Sequence, residues 1–394
     1  MAITYYDKYK NRKLNEMVLL GSHDAAIATG SSNAKTQTQD IFGQAADGAR
    51  FFDLRVAAFK TSFMGGKVEL RSYHDATKKE SPTFRFGNKM KVADLSNTKH
   101  SDVKVHTTMF GVAGFGLQAM LQDAKRFLSG ATGKEFLIFK FDKSENWKLI
   151  YETCLDELDA GGWLYQTMDA KNRNLNTKTL DELKGKVLIL FPDKEFAGMG
   201  LDPEGMHANG VLRWANLYSK AESSARGYNP DFQGLQYYGK GGVSASASGD
   251  TGKINQNRDV QAKLMEGKGS YATSKAGWKG KLGMKDKGEQ DGSVDPNVVG
   301  LMYWTTTGPS KSGILKRNGK MWTDVVKDEM VNIGLQRSNR SISAMGSGSA
   351  ATVVKKFMPN IIMVDFVDAT KGNVVFSMNN VAAVEVANSM EAML

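Results

Sequence analysis

MVLLGSHDAAIATG (17–30), FFDLRVAAF (51–59) and VELRSYHDA (68–76) are the three segments on which the fold turns. Each is a short apolar run that closes on charged or imidazole groups, the pattern of a buried strand ending at a rim. Three such strands would bring His23, Asp24, Asp53, Arg55, His74 and Asp75 to one side of a domain. Two imidazoles and a guanidinium on one rim suit chemistry on a phosphodiester. One imidazole takes a proton, the other gives one, and the forked guanidinium donors hold a phosphoryl oxygen.

Outward from these segments, strands and helices alternate. Residues 5–16 read as a short helix or arm, 31–39 as a small polar loop, and 40–48 as a helix closed by Gly48, where a left-handed residue is cheap. The pair Gly65-Gly66 marks a turn between the second strand (50–59) and the third (68–73), and 77–106 has no clear period. Leu117, Met120, Leu121, Ala124 and Leu128 recur at helical spacing ahead of a fourth strand, 136–141. A helix over 149–158, a glycine stop at Gly185 and a fifth strand at 187–191 follow. Strand, helix, strand in succession argues for parallel pairing with both faces covered.

Residues 195–300 break this rhythm with dense glycine, serine and lysine, and read as a long loop-rich insertion within one domain spanning 1–394. Beyond it come a sixth strand at 300–305, helical spacing over 321–333, and a glycine-serine run at 344–352 that fits neither phosphate-loop spacing and reads as a linker. The last strand, NIIMVDFV (360–367), carries one charge, Asp365. A carboxylate on a buried strand needs a partner, because desolvating it alone is expensive.

Composition bounds the class. With 41% hydrophobic and 24% charged residues in 394, the chain is ordinary globular protein, and a net charge of +10 favours anionic partners without choosing among them. The single cysteine, Cys154, has no partner for an intramolecular disulfide. The first 17 residues lack the apolar core of a secretory signal and no run is long enough to span a bilayer, so a soluble protein is expected, with export by a route that cleaves no signal left open.

GSHDA, FDLR and YHD, together with the lone aspartate of MVDF, resemble the bacterial phosphatidylinositol-specific phospholipase C family of barrel phosphodiesterases. The resemblance is good over 17–75 and 360–366, weak over 117–191, and absent between about 195 and 300. It implies an irregular (β/α)₈ TIM-type barrel, in agreement with seven strands counted from the sequence and with site residues at strand ends. It further implies that His23 is the general base held by Asp365, that His74 is the general acid supported by Asp24, and that Arg55 neutralises the phosphate with Asp53 orienting it. The reaction implied is attack of the inositol 2-hydroxyl on phosphorus, releasing diacylglycerol and a cyclic phosphate, with no metal and no cofactor.

Departures from the family pattern accompany the matches. Pro192 and Asp193 stand where the family has an arginine for the inositol ring, and Asp142 and Lys143 stand near its lysine position, so Lys143 is taken as a substrate contact. Tyr303 and Trp304 are candidates to pack on a sugar ring. His100, His106 and His207 lie in polar stretches and read as solvated. Two other readings stay open: a metal-dependent glycerophosphodiesterase or phospholipase, which would need a carboxylate pair where this chain has Asp53-Leu54-Arg55, and a non-catalytic anionic-lipid-binding barrel. The expected partners are a phospholipid substrate and an anionic membrane surface, touched by Lys240, Lys253, Lys268, Lys275, Lys279, Lys281 and Trp278 in the basic loops. No nucleic acid and a monomeric state are expected.

Overall fold

In a computed structural model, residues 2–30, 34–60, 67–74, 90–92, 99–100, 112–218, 227–241, 243–244, 252, 256–257, 261, 297–307 and 359–391 are described. The first strand, β1 (Leu19–Ser22), is buried along its length, and β2 (Ala49–Leu54) lies parallel to it. Between them, α2 (Ile41–Ala46) follows the short α1 (Tyr6–Tyr9) in chain order and is capped by Asp40, whose carboxylate accepts from the Gly43 amide. Gly48 has φ +103°, the left-handed stop expected from the sequence.

The single extended segment expected over 50–59 is two strands. β2 ends at Leu54, the chain bends at Arg55, and β3 (Val56–Lys60) leaves the barrel to pair antiparallel with β4 (Lys67–His74). Thus the third strand of the sequence reading is not a barrel stave. With β5 (Met90–Val92), β6 (Lys99–His100) and β7 (Val112–Gly116) it forms a side sheet. The short pair β5 and β6 falls inside 77–106, where the sequence has no clear period. The helix α3 (Leu117–Phe127) then leads to β8 (Leu137–Phe141), and α4 (Trp147–Leu158) to β9 (Val187–Pro192).

After α5 (Asp193–Gly198) and α6 (Pro203–Ala208), two further staves appear, β10 (Val211–Asn216) and β11 (Gly234–Lys240). They lie inside 195–300, so that stretch is not a loop-rich insertion throughout. VLRWAN and GLQYYGK are short and carry polar residues, which hid them among glycines and lysines. The small strands β12 (Val243–Ser244) and β14 (Thr306–Thr307) pair beside β13 (Val299–Trp304), and β15 (Ile361–Val364) precedes the long α7 (Ala369–Glu391). The 321–333 and 344–352 segments, and the basic loop residues other than Lys240, lie outside the described residues.

Eight parallel strands close the barrel in the order β1-β15-β13-β11-β10-β9-β8-β2. Alternation along each strand divides the core in two. Inward residues such as Leu19, Phe51, Ile138, Leu190, Trp214, Tyr237, Leu301 and Met363 fill the barrel, and the outward set, including Phe52, Phe139, Ile189 and Ile362, packs under the helices. Gly21 is required by this interior: a β-carbon there would lie 2.3 Å from Met363 Sδ. At the lower end, buried Arg50 pairs with Glu135 at 2.8 Å, and Glu135 also accepts from the Tyr5 and Tyr6 amides. Among the described residues, no helix is long and apolar enough to cross a membrane.

Candidate active site

Inward-facing residues at the carboxyl ends of the staves converge on one polar cluster, the end where barrel enzymes carry their sites. His23 and Asp24 follow β1, Asp365 follows β15, and the two strands are adjacent and parallel. His23 Nδ1 lies 2.8 Å from Asp365 Oδ1, so two groups 342 residues apart in sequence form a buried pair. Gln37 fixes the turns beneath them. Its amide donates to the carbonyls of His23 (2.9 Å) and Val364 (3.3 Å), and its oxygen accepts from the Val367 amide at 3.0 Å.

The turns are strained. Asp24 has φ 41° and Phe366 φ 53°, left-handed values that side chains other than glycine rarely adopt. Each immediately follows a site residue, and each conformation is held by buried hydrogen bonds, Thr36 Oγ1 to the Asp24 carbonyl and the Phe366 amide to the Thr36 carbonyl. Strain of about 1–3 kcal/mol at such a residue persists only where its surroundings over-determine it.

The Asp24 carboxylate is the centre of the cluster. Its Oδ2 stands 3.5 Å from His23 Nε2 and 3.6 Å from His74 Nε2, and its Oδ1 is 3.2 Å from Arg55 Nε. His74 reaches this point although β4 is not a stave. The bend at Arg55 folds the side sheet over the rim, and the Tyr73 amide donates to the Arg55 carbonyl at 2.9 Å. Side-chain exposure rises from Asp365 and Asp24 through His23 to His74 and Arg55, so the cluster opens outward on the His74 side.

Electrostatics follow from this crowding. Burial disfavours a charged His23, but Asp24 and Asp365, with Asp53 behind them, outweigh it and raise its pKa to about 9. For His74 burial wins: Asp24 draws the proton back, Arg55 and His23 repel it, and the pKa stays below the ordinary imidazole value. Burial would raise the Asp24 pKa, yet Arg55, His23, His74 and Lys143 hold it well below the usual carboxylate range.

Asp53 does not pair with Arg55 as expected. Its Oδ1 takes Lys140 Nζ at 3.2 Å and its Oδ2 takes the Tyr303 hydroxyl at 3.0 Å, which leaves Arg55 to Asp24. Lys140 escaped the sequence reading. The signal was the one that drew attention to Asp365, a lone charge in the buried run LIFKF. Lys143 is exposed at the rim, where its charge bears on Asp24 and Asp142, and its carbonyl accepts from the Tyr73 hydroxyl at 2.6 Å.

Tyr303 faces the interior, edge-on to His23 with ring centroids 5.7 Å apart. Trp304 does not join the site: the next residue on a strand points the other way, and its indole packs in the outer layer. Trp214 and Tyr237, both inside staves that the sequence reading missed, lie in the barrel interior beside Lys140, whose Nζ is 4.4 and 5.9 Å from their ring centroids. His207 is 2% exposed and stacks on Phe196 rather than standing in solvent; burial, then Arg213 and Arg173, lower its pKa to about 4. Asp75 and His106 lie outside the described residues. Asp193, after β9, pairs with Arg213 at 2.9 Å. Among the described residues no group of three or more His, Cys, Asp or Glu is arranged to hold a metal ion.

No protein-family model and no curated protein sequence matches the chain. Among solved structures, the F249X mutant of phosphatidylinositol-specific phospholipase C from Staphylococcus aureus is 15% identical with a TM-score of 0.45, over 94% of this chain and 96% of that one. The phosphatidylinositol-specific phospholipase C from Listeria monocytogenes is 12% identical, also at 0.45, over 94% and 95%. A calcium-dependent phosphoinositol-specific phospholipase C from Pseudomonas sp is 12% identical at 0.32, over 65% and 84%. In structure, this chain is similar to bacterial phosphatidylinositol-specific phospholipases C.

Proposed function

We propose that this barrel cleaves the phosphodiester of phosphatidylinositol or a related glycerophospholipid with no metal ion, as a phospholipase C of the lyase type. The observation that carries this reading is the placement of one buried carboxylate, Asp24, within 3.6 Å of two imidazoles and 3.2 Å of a guanidinium. His23 Nε2 takes the proton of a headgroup hydroxyl as its oxygen bonds to phosphorus, while Asp365 holds Nδ1 and fixes the tautomer. The bond from phosphorus to the glycerol oxygen breaks, and His74 gives that oxygen its proton. The products are diacylglycerol and a cyclic phosphate.

Depth supports this division of roles. A lipid headgroup enters the barrel and the acyl chains stay outside, so the base belongs with the deeper imidazole, His23, and the acid with the outer one, His74. Arg55 neutralises the phosphoryl oxygens with charge that is permanent, and a phosphodiester anion beside His74 favours its protonated form. A net charge of +10 suits peripheral contact with an anionic lipid surface. The exposure of Lys143 at the rim supports a contact with the headgroup.

The test is a panel of glycerophospholipids in mixed vesicles, with phosphorus NMR for a cyclic product. His23→Ala and His74→Ala are each expected to lower turnover by at least ~10²-fold, the smaller end of the effect of losing a general acid or base. Near-normal turnover in either variant excludes the two-histidine mechanism.

A further inference from the structure

Lys140 takes no part in the chemistry above, yet it is among the most completely engaged side chains in the barrel. It is 1% exposed and lies on the inward face of β8, in register with Asp53 on β2. Its Nζ lies 3.2 Å from Asp53 Oδ1, 3.3 Å from Asp142 Oδ2 and 3.5 Å from the Tyr303 hydroxyl, with the Trp214 ring at 4.4 Å. Three oxygens match the three donors of an ammonium. On the neighbouring stave β9 the register partner of Lys140 is Leu190, so volume alone calls for no lysine here. A buried cation carries a large desolvation penalty, and its retention asks for a reason.

That reason lies in what Asp53 would otherwise do. Asp53 sits two residues before Arg55 and close enough to His23 to act on both charges. With Oδ1 on Lys140 and Oδ2 on Tyr303, it is fully engaged, and Arg55 Nε lies on Asp24 instead. We propose that Lys140 is a positioning residue: by engaging Asp53 it commits Arg55 to Asp24, keeps the Asp24 carboxylate between the two imidazoles, and limits the negative charge acting on His23. Its consequence for turnover rests on the phosphodiesterase reading, whereas its effect on His23 does not.

The groups around His23 are Asp24 on its own turn, Asp365 after β15, Asp53 near the end of β2, Arg55 just beyond that strand, His74 at the end of β4 and Tyr303 from β13; Lys140 on β8 reaches Asp53 and, just after the strand, Asp142, while Lys143 acts on Asp24. Deleting the Lys140 ammonium leaves four carboxylates in this set against Arg55, Lys143 and the imidazoles. The excess negative charge makes the His23 proton harder to remove.

Imidazole NMR titration without substrate tests this, with His23 assigned by comparison with His23→Ala. In Lys140→Met the His23 midpoint is expected to rise by ~0.5 pH unit or more, in Lys140→Arg to stay at the wild-type value, and in Asp53→Asn/Lys140→Met to return toward it. Should Lys140→Met not fold, Lys140→Gln keeps a donor toward Asp53, loses only the charge, and is expected to show the same rise. A folded neutral variant with an unmoved midpoint, or a double variant that fails to return, overturns the proposal and leaves Lys140 a structural residue. Midpoint shifts in a chain that turns over no phosphodiester would uphold Lys140 and remove the phospholipase reading. Turnover with unmoved midpoints would do the reverse.

Discussion

Tyr303 stands edge-on to His23 at an interplanar angle of 86°, and its hydroxyl donates to Asp53. The ring therefore braces the proposed base while its oxygen braces the carboxylate below. Tyr303→Phe keeps the first contact and deletes the second. Leaving Asp53 Oδ2 without its donor is expected to lower stability by about 1–3 kcal/mol. Denaturant midpoints and kcat/KM measured together check this: stability falls, and turnover falls because Asp53 is free to draw on Arg55. Unchanged stability would mean that the hydroxyl bond is idle.

In the proposed mechanism the two imidazoles titrate as a pair, and the reacting form has one proton, on His74. His23, raised to about 9, is the last of the two to lose its proton as pH rises, so the alkaline limb of kcat/KM is expected near pH 9. His74, held below the ordinary imidazole value, is the last to gain one as pH falls, so the acid limb lies below that value. The result is a broad-topped profile. An alkaline limb at the ordinary imidazole value would show that Asp24 and Asp365 do not act on His23 as their distances imply.

Gln37 joins the turns that carry His23 and Asp365 through three hydrogen bonds to backbone groups. Gln37→Leu preserves volume and takes this partner from the His23 carbonyl and the Val367 amide, at about 1–3 kcal/mol for each one left unsatisfied, while the Val364 carbonyl keeps the His23 amide. Chemical denaturation is expected to register the loss, and turnover to drop more than in a variant destabilised equally at Arg50 and Glu135, far below the site. Equal turnover in the two would show that Gln37 does nothing for the histidine pair.

In the proposed mechanism Arg55 provides the charge that a metal would otherwise supply to the phosphate. Turnover is expected to survive excess chelator, and Arg55→Lys to lose at least ~10-fold, because a point charge does not reproduce the guanidinium fork. A large, calcium-specific recovery after chelation would favour the metal-dependent reading.

The sequence was most informative where a strand pattern and a charge coincided. GSHDA, FDLR and MVDF were legible because an apolar run leaves a charged residue with few places to go except a rim or a partner, and His23 and Asp365 do meet. Pairing partners were not legible in the same way. Asp53 and Arg55 share a local pattern that suggests mutual contact, but Lys140, 87 residues further on, competes for Asp53 through strand register, which emerges only when the barrel closes. VLRWAN and GLQYYGK were hidden because, beside Leu212 and Leu235, their inward faces carry Trp214, Asn216 and Tyr237, and polar or half-polar side chains at inward positions weaken the apolar signal of a strand. The side sheet was misassigned for the opposite reason: VELRSYH alternates well, and alternation says nothing about which sheet a strand joins.

Closure of the barrel between β1 and β15 also has a consequence for biosynthesis. His23, Asp24, Asp53, Arg55 and His74 emerge from the ribosome close together, while Asp365 follows His23 by 342 residues. At ~5–20 residues per second, that interval lasts roughly 20–70 s. Throughout it, β1 has no partner on one side and exposes a sheet edge of the kind that recruits other chains. Once α7 arrives, the Asn379 side chain bonds both the amide and the carbonyl of Val18, fastening the end of the chain beside its first strand. Until Asp365 arrives, His23 Nδ1 lacks the carboxylate that pairs with it, so the buried pair is among the last parts of the barrel to be completed.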